Sequence, residues 1–136
     1  MIKLKDLIES IDWDKKYSQI SGNIDGLTIR NQIPNTSSIS SSFNNYKILK
    51  GIRKISINEF NANPHDLFYA KDDIDKCKQL AEKIKNSKEI NPLIVAIDNE
   101  GPYILEGGHR LGALYLLKVK YIPALVVLDL DLLKRN

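Results

Sequence analysis

The stretch "ILEGGHRLGAL", residues 104–114, places a carboxylate, two glycines, an imidazole and a guanidinium in a row. It lies between an apolar run of strand character and one of helical character. A plain strand-to-helix connection needs only a turn residue and a cap. Adjacent Gly107 and Gly108 instead indicate unusual dihedrals or a close approach, because glycine is otherwise costly in backbone entropy. They stand where the first N–H groups of the next helix have no intrahelical partner. Those donors and the helix dipole favour an anion. Arg110, in or near the first turn, sits at the unfavourable end of that dipole, a cost of about 0.3–1 kcal/mol. An anion between the two removes the conflict. Arginine offers a planar fork for phosphate oxygens, and His109 a further hydrogen bond. Glu106 can cap helix N–H groups, hold Mg²⁺ through water, or take a proton from a substrate hydroxyl. The alternative is structural: a Gly-Gly turn, a Glu106–Arg110 pair and a solvated histidine.

The elements that must hold this turn are legible in the flanking pattern. Leu4, Leu7, Ile8 and Ile11 fall at helical spacing and predict a short helix over 2–11. Residues 21–45 are rich in Ser, Asn, Gly and Pro and hold no period. They read as an irregular arm with a short strand near 27–29, pinned to the body by Ile24, Leu27, Ile33, Ile39 and Phe43. Trp13 reads as packing between arm and body. Ile52, Ile55 and Ile57 predict a strand. "NANPHD" is a turn, and Asp72 or Asp73 is expected to cap the helix that follows. That helix carries Ile74, Cys77, Leu80, Ala81 and Ile84 as one apolar stripe, which makes Cys77 a core residue. "INPLIVAI", the turn "DNEG" and "PYILE" predict a hairpin. A helix to about Leu117 and the strand "YIPALVVL" complete the order. The fold class is α+β: a compact mixed sheet with helices packed on it, and an irregular N-terminal extension.

Length and composition narrow the classes further. One domain's worth of chain, 136 residues with 43% hydrophobic residues, can bury a core without metal or disulfides. The net charge of +3 is too mild to demand nucleic acid. The single cysteine builds no disulfide framework, and no Cys/His set has zinc spacing. With no signal-peptide pattern and no long apolar run, a cytoplasmic location without a membrane partner is expected.

Residues about 52–130 resemble the ParB/sulfiredoxin superfamily, the "ParB-like nuclease domain". The resemblance runs through "ISINEF", "NPH", "DIDKCKQLAEKIKNS", "INPLIVAI", "GPYILEGGHRLGAL" and "IPALVV". It implies a domain over 51–131, with residues 1–50 as an N-terminal helix and irregular arm. It also implies a phosphate-binding turn at Gly107, Gly108, His109 and Arg110, with Mg²⁺ and a nucleotide (ATP, ADP or CTP) as cofactors. The "NPHDLFYAK" segment is implied to lie near the nucleotide. There Asp66 would supply a metal-facing carboxylate, His65 a phosphate contact, and Tyr69 a stacking or hydroxyl contact. Leu67 and Phe68 would anchor the loop in the core. Glu106 and Asp66 are then the candidate catalytic and metal-binding carboxylates.

Departures from the superfamily pattern exclude some of its activities. Sulfiredoxins carry a catalytic cysteine before the His-Arg pair, where this sequence has Gly108. ParB proteins usually show Gly-Glu-Arg-Arg and add a helix-turn-helix region, for which this length leaves no room. The "EGGHR" form is closer to the acidic-Gly-X-His-Arg turn of the kinase-like and uncharacterised branches. The expected function is nucleotide phosphate binding with Mg²⁺-dependent phosphoryl transfer or NTP hydrolysis. The alternative is a non-catalytic DNA- or protein-binding module of plasmid, phage or toxin-associated context. A nuclease is a third reading, although the sequence has no clustered acidic set for a two-metal site.

Overall fold

A computed structural model describes residues 11–30 and 36–133. The helix expected over 2–11 and the anchor Ile33 lie outside the described residues, Ile11 excepted. The short elements of the arm come first: α1 (Trp13–Lys16), β1 (Gln19–Ile20), β2 (Asn23–Ile24), β3 (Leu27–Ile29), α2 (Ser37–Ser42) and β4 (Tyr46–Ile48). There follow β5 (Ile52–Ser56), a 3₁₀ turn (Ile57–Glu59), α3 (Pro64–Leu67), α4 (Lys71–Ser87) and β6 (Glu89–Ile90). The hairpin β7 (Leu93–Asp98) and β8 (Gly101–Glu106) leads into α5 (Gly108–Leu116), β9 (Tyr121–Asp129) and α6 (Leu130–Leu133). The α+β class is as the sequence indicates.

The larger sheet has the order β1-β5-β9-β7-β8, and β4 also pairs with β9. Central β9 runs parallel to β7 and antiparallel to β5. β5 takes the first half of β9, residues 121–124, and β4 takes 127–129. A strand buried along eight of its nine residues must be covered on both faces, which explains its unbroken apolar run. On one face Ile122, Ala124, Val126 and Leu128 join Leu93, Val95 and Ile97 beneath α4 and α5. On the other, Leu125, Val127 and Ile94 pack on Ile39 of α2, with Phe43 and Ile52 alongside. Full burial of one such side chain contributes about 1.5–3 kcal/mol. α2, from the Ser-rich part of the arm, is thus a lid on the second face.

A second sheet, β2-β3-β6, joins the arm to the body: β2 and β3 form a hairpin, and β3 runs parallel to β6. The hairpin turn has positive φ at both Asp25 (49°) and Gly26 (83°), the twist that two-residue hairpins require. The Asp25 carboxylate accepts hydrogen bonds from the backbone N–H of Lys120 and Tyr121, tying the turn to the start of β9.

Two local expectations are corrected. Ile52 and Ile55 are three apart and face opposite sides of the sheet; the residue sharing a face with Ile55 and Ile57 is Arg53. Arg53 is 3% exposed. It survives burial because its guanidinium donates to the carbonyls of Lys50 and Tyr17 and pairs with Asp14. Nor do Asp72 or Asp73 cap α4. The N-cap is Ala70, and both carboxylates lie in the first turn, where the dipole favours them. The apolar stripe of α4 is as expected, with Cys77, Ala81 and Ile84 buried. Burial, and then the nearby Asp73, raise the pKa of the Cys77 thiol, which suits a core residue. Trp13 is buried and stacks on Tyr17, with ring centroids 6.2 Å apart.

Helices α4 and α5 meet at Gly112. A Cβ there would stand 2.7 Å from Cys77 Sγ and 3.2 Å from Pro64 Cγ. Gly112→Ala is therefore expected to lower stability by about 1–3 kcal/mol through overpacking, read from denaturant midpoints. The arm has its own test. The hydrogen bond and charge of Arg53 lower the pKa of Asp14, so the pair stabilises the fold above the ordinary carboxylate range. That contribution is lost as pH falls through the lower folded pKa. The Tm gap between the native chain and Asp14→Asn should be present at neutral pH and close below about pH 4.

Candidate functional site

The turn at the head of α5 is built by three neighbours. β8 ends at Glu106, which is registered opposite Ile94 of β7 across a bulge. Gly107 follows with φ 106°, a conformation that a side chain would strain. It is also cramped: a Cβ would lie 2.9 Å from Leu93 Cγ and 3.1 Å from Arg110 Nη2. Gly108 faces Phe68, whose Cζ would be 3.3 Å from a Cβ. Gly107 is thus required by space and by dihedral, while at Gly108 a side chain would ask the Phe68 ring to give by a few tenths of an ångström. Gly107 is the N-cap of α5 and has no side chain to cap it. The leading amides of α5 lack the usual Ser, Thr, Asp or Asn partner.

His109 and Arg110 reach different partners. His109 stacks on Phe68, with centroids 4.6 Å apart and planes 8° from parallel. Its Nε2 lies 3.0 Å from Asp73 Oδ1. Beside an ionised Asp73, Nε2 carries the proton, and Nδ1 of the neutral ring is an acceptor. A second N–H, the one a phosphate would use, exists only on the imidazolium. Arg110 points toward the loop before β7, where Nη1 donates to the carbonyls of Asn91 (3.1 Å) and Pro92 (2.6 Å). Burial lowers the pKa of its guanidinium, and the charge of Glu106 works in the opposite direction. Glu106 is thus near enough for its charge to act on Arg110. Nη2 remains close to Gly107, so the cation does stand at the uncapped helix start.

The second segment arrives through residues that the sequence marked as anchors. α3 begins with Pro64 at N1 and is capped by Asn63, which accepts from the N–H of His65. Pro64 reaches Gly112, and Phe68 reaches Gly108 and His109. His65 and Asp66 are exposed on α3, and Tyr69 stands fully in solvent beyond it. Among the described residues, no group of three or more His, Cys, Asp or Glu side chains is placed to hold a metal ion. A Mg²⁺ at Glu106 or Asp66 would have to take most of its oxygens from water and ligand. Sequence reasoning missed Asp73 as the partner of His109, because an acidic residue at a helix start reads first as a cap. It also missed Phe68 as part of the turn. The available signal was spacing: Phe68, Asp73 and Cys77 follow one another by five and four residues, and all three face α5.

Among the described residues, no helix is long and apolar enough to cross a membrane. A family model described as the ParB N-terminal domain matches residues 40–133. No curated protein and no solved structure matches the chain.

Arg110 has a structural duty that can be measured. Arg110→Ala leaves two loop carbonyls without their donor and is expected to cost about 1–3 kcal/mol. Arg110→Lys should recover part of that loss. Chemical denaturation of the two variants, with amide exchange at Leu93 and Ile94 as the local readout, checks both expectations.

Proposed function

This chain belongs to the ParB N-terminal domain family, and from that premise we propose that it is a ParB-type binding module whose α5 start receives the phosphates of a nucleotide. The observation that carries the reading is the uncapped helix at Gly107 with the guanidinium of Arg110 beside it. Exposed amides and a desolvated cation at the positive end of a helix both gain when an anion arrives. Glu106 offsets part of that charge in the unliganded state, and a phosphate would compete for the same guanidinium. His109 would add a donor in its protonated form, held flat by Phe68 and oriented by Asp73. Tyr69, unpacked and beside this loop, is the aromatic surface available for a base to stack on.

Binding is better supported than turnover. Phosphoryl transfer or hydrolysis would ask Glu106 to orient a hydroxyl or water. Mg²⁺ would be held by Glu106 or Asp66 together with the phosphates, where it would neutralise phosphate charge. The donor set around the turn does not form a metal site by itself. The same cationic helix start suits the alternative of a DNA- or partner-binding module, in which a backbone phosphate or an acidic side chain takes the nucleotide's place.

Calorimetry with ATP, ADP and CTP, with and without Mg²⁺, tests the reading on the native chain, His109→Ala and Arg110→Lys. At least one nucleotide should bind, and each variant should weaken it roughly tenfold. Product analysis on any nucleotide that binds decides between a module and an enzyme. Silence from all three, together with a salt-sensitive shift on duplex DNA, would replace this reading with the DNA-binding one.

A further inference from the structure

Arg110 also lines a cleft of about 270 Å³ on the side of α4 and β6. Leu80, Ile84 and Ile90 give it an apolar wall, and Arg30, Lys83 and Arg110 give it three cations. Its one carboxylate, Glu89, is paired with Arg30. Lys83 makes no ion pair among the described residues. Ser87 and Asn91 complete the lining.

These features specify a ligand more closely than charge alone. Excess positive charge asks for an anionic head, and the Leu80–Ile84–Ile90 wall for an apolar body. The placement of Arg30 is fixed by backbone. Thr28 and Ile29 of β3 register against Glu89 and Ile90 of β6, and the N–H of Arg30 donates to the Ile90 carbonyl at 3.1 Å. β3 lies before the residues that the family model matches, 40–133. The matched domain alone therefore lacks one of the three cations.

We propose that this cleft binds a small organic anion, a carboxylate or phosphate monoester on an apolar body, and that the N-terminal arm contributes Arg30 to it. The ligand head displaces Glu89 from Arg30 and engages Lys83, while the body lies on Leu80 and Ile84. The assignment shares Arg110 with the nucleotide reading but does not depend on it.

The test is a titration of the isotope-labelled full chain, followed by amide shifts, with hippurate for the carboxylate class and phenyl phosphate for the ester class. One of the two should move Leu80, Lys83, Ile84 and Asn91. Arg30→Gln and Lys83→Gln, both exposed substitutions, should each weaken it roughly fivefold. Glu89→Gln should strengthen it by freeing Arg30. Shifts confined to Gly107–His109 would overturn the cleft assignment and leave the nucleotide reading standing. Unchanged affinity in the Arg30 and Lys83 variants, or no shift with either probe at millimolar concentration, would overturn it as well.

Discussion

The guanidinium of Arg110 stands where a helix start is least hospitable to a cation, and it stays there because the carbonyls of Asn91 and Pro92 hold Nη1. That pair of hydrogen bonds joins the loop before β7 to the first turn of α5. The Arg110 side chain, with Leu93, also crowds the space a Cβ at Gly107 would take. The same contact brings positive charge to the uncapped amides on one side and to the α4–β6 cleft on the other. Both binding proposals follow from a side chain fixed by carbonyls while its charge is only partly offset by Glu106.

The arm is the second determinant. It holds no period in sequence, yet it supplies β1 and β4 to the main sheet, α2 to cover Ile94 and Val127, and β3 to extend β6. Each join satisfies a particular need. β9 must be paired along its whole length, and β4 takes the half that β5 does not reach. Arg53 must be neutralised inside the body, and Asp14 with the Tyr17 carbonyl provides for it. The arm therefore completes a core that the later strands leave open.

His109 shows how tertiary packing changes the meaning of a residue. Beside Gly-Gly and Arg it reads as a second phosphate donor. With Asp73 holding Nε2, the neutral ring has no N–H to spare, and its role becomes tied to its protonation. Phe68 reverses in the other direction. Read as a loop anchor, it does anchor, but against the ring of His109, so one contact is both packing and site.

Local chemistry was written plainly in the chain. The β-branched runs at 93–97 and 122–128, the stripe from Cys77 to Ile84 and the glycine pair identify strands, helix and turn, because period and backbone freedom are local properties. The α+β class follows from their order, and the resemblance to ParB domains from the motifs set along it. What only the folded chain decided were the pairings across long separations: Asp14 with Arg53, Asp73 with His109, Asn91 with Arg110, Arg30 with Glu89. An acidic residue gives the same local signal whether it caps a helix, faces water or meets an imidazole brought from 36 residues away. Whether an acidic side chain caps a helix, faces water or meets a distant partner depends on how the helices cross and how the strands register, and burial sets that through contacts no short window of sequence contains.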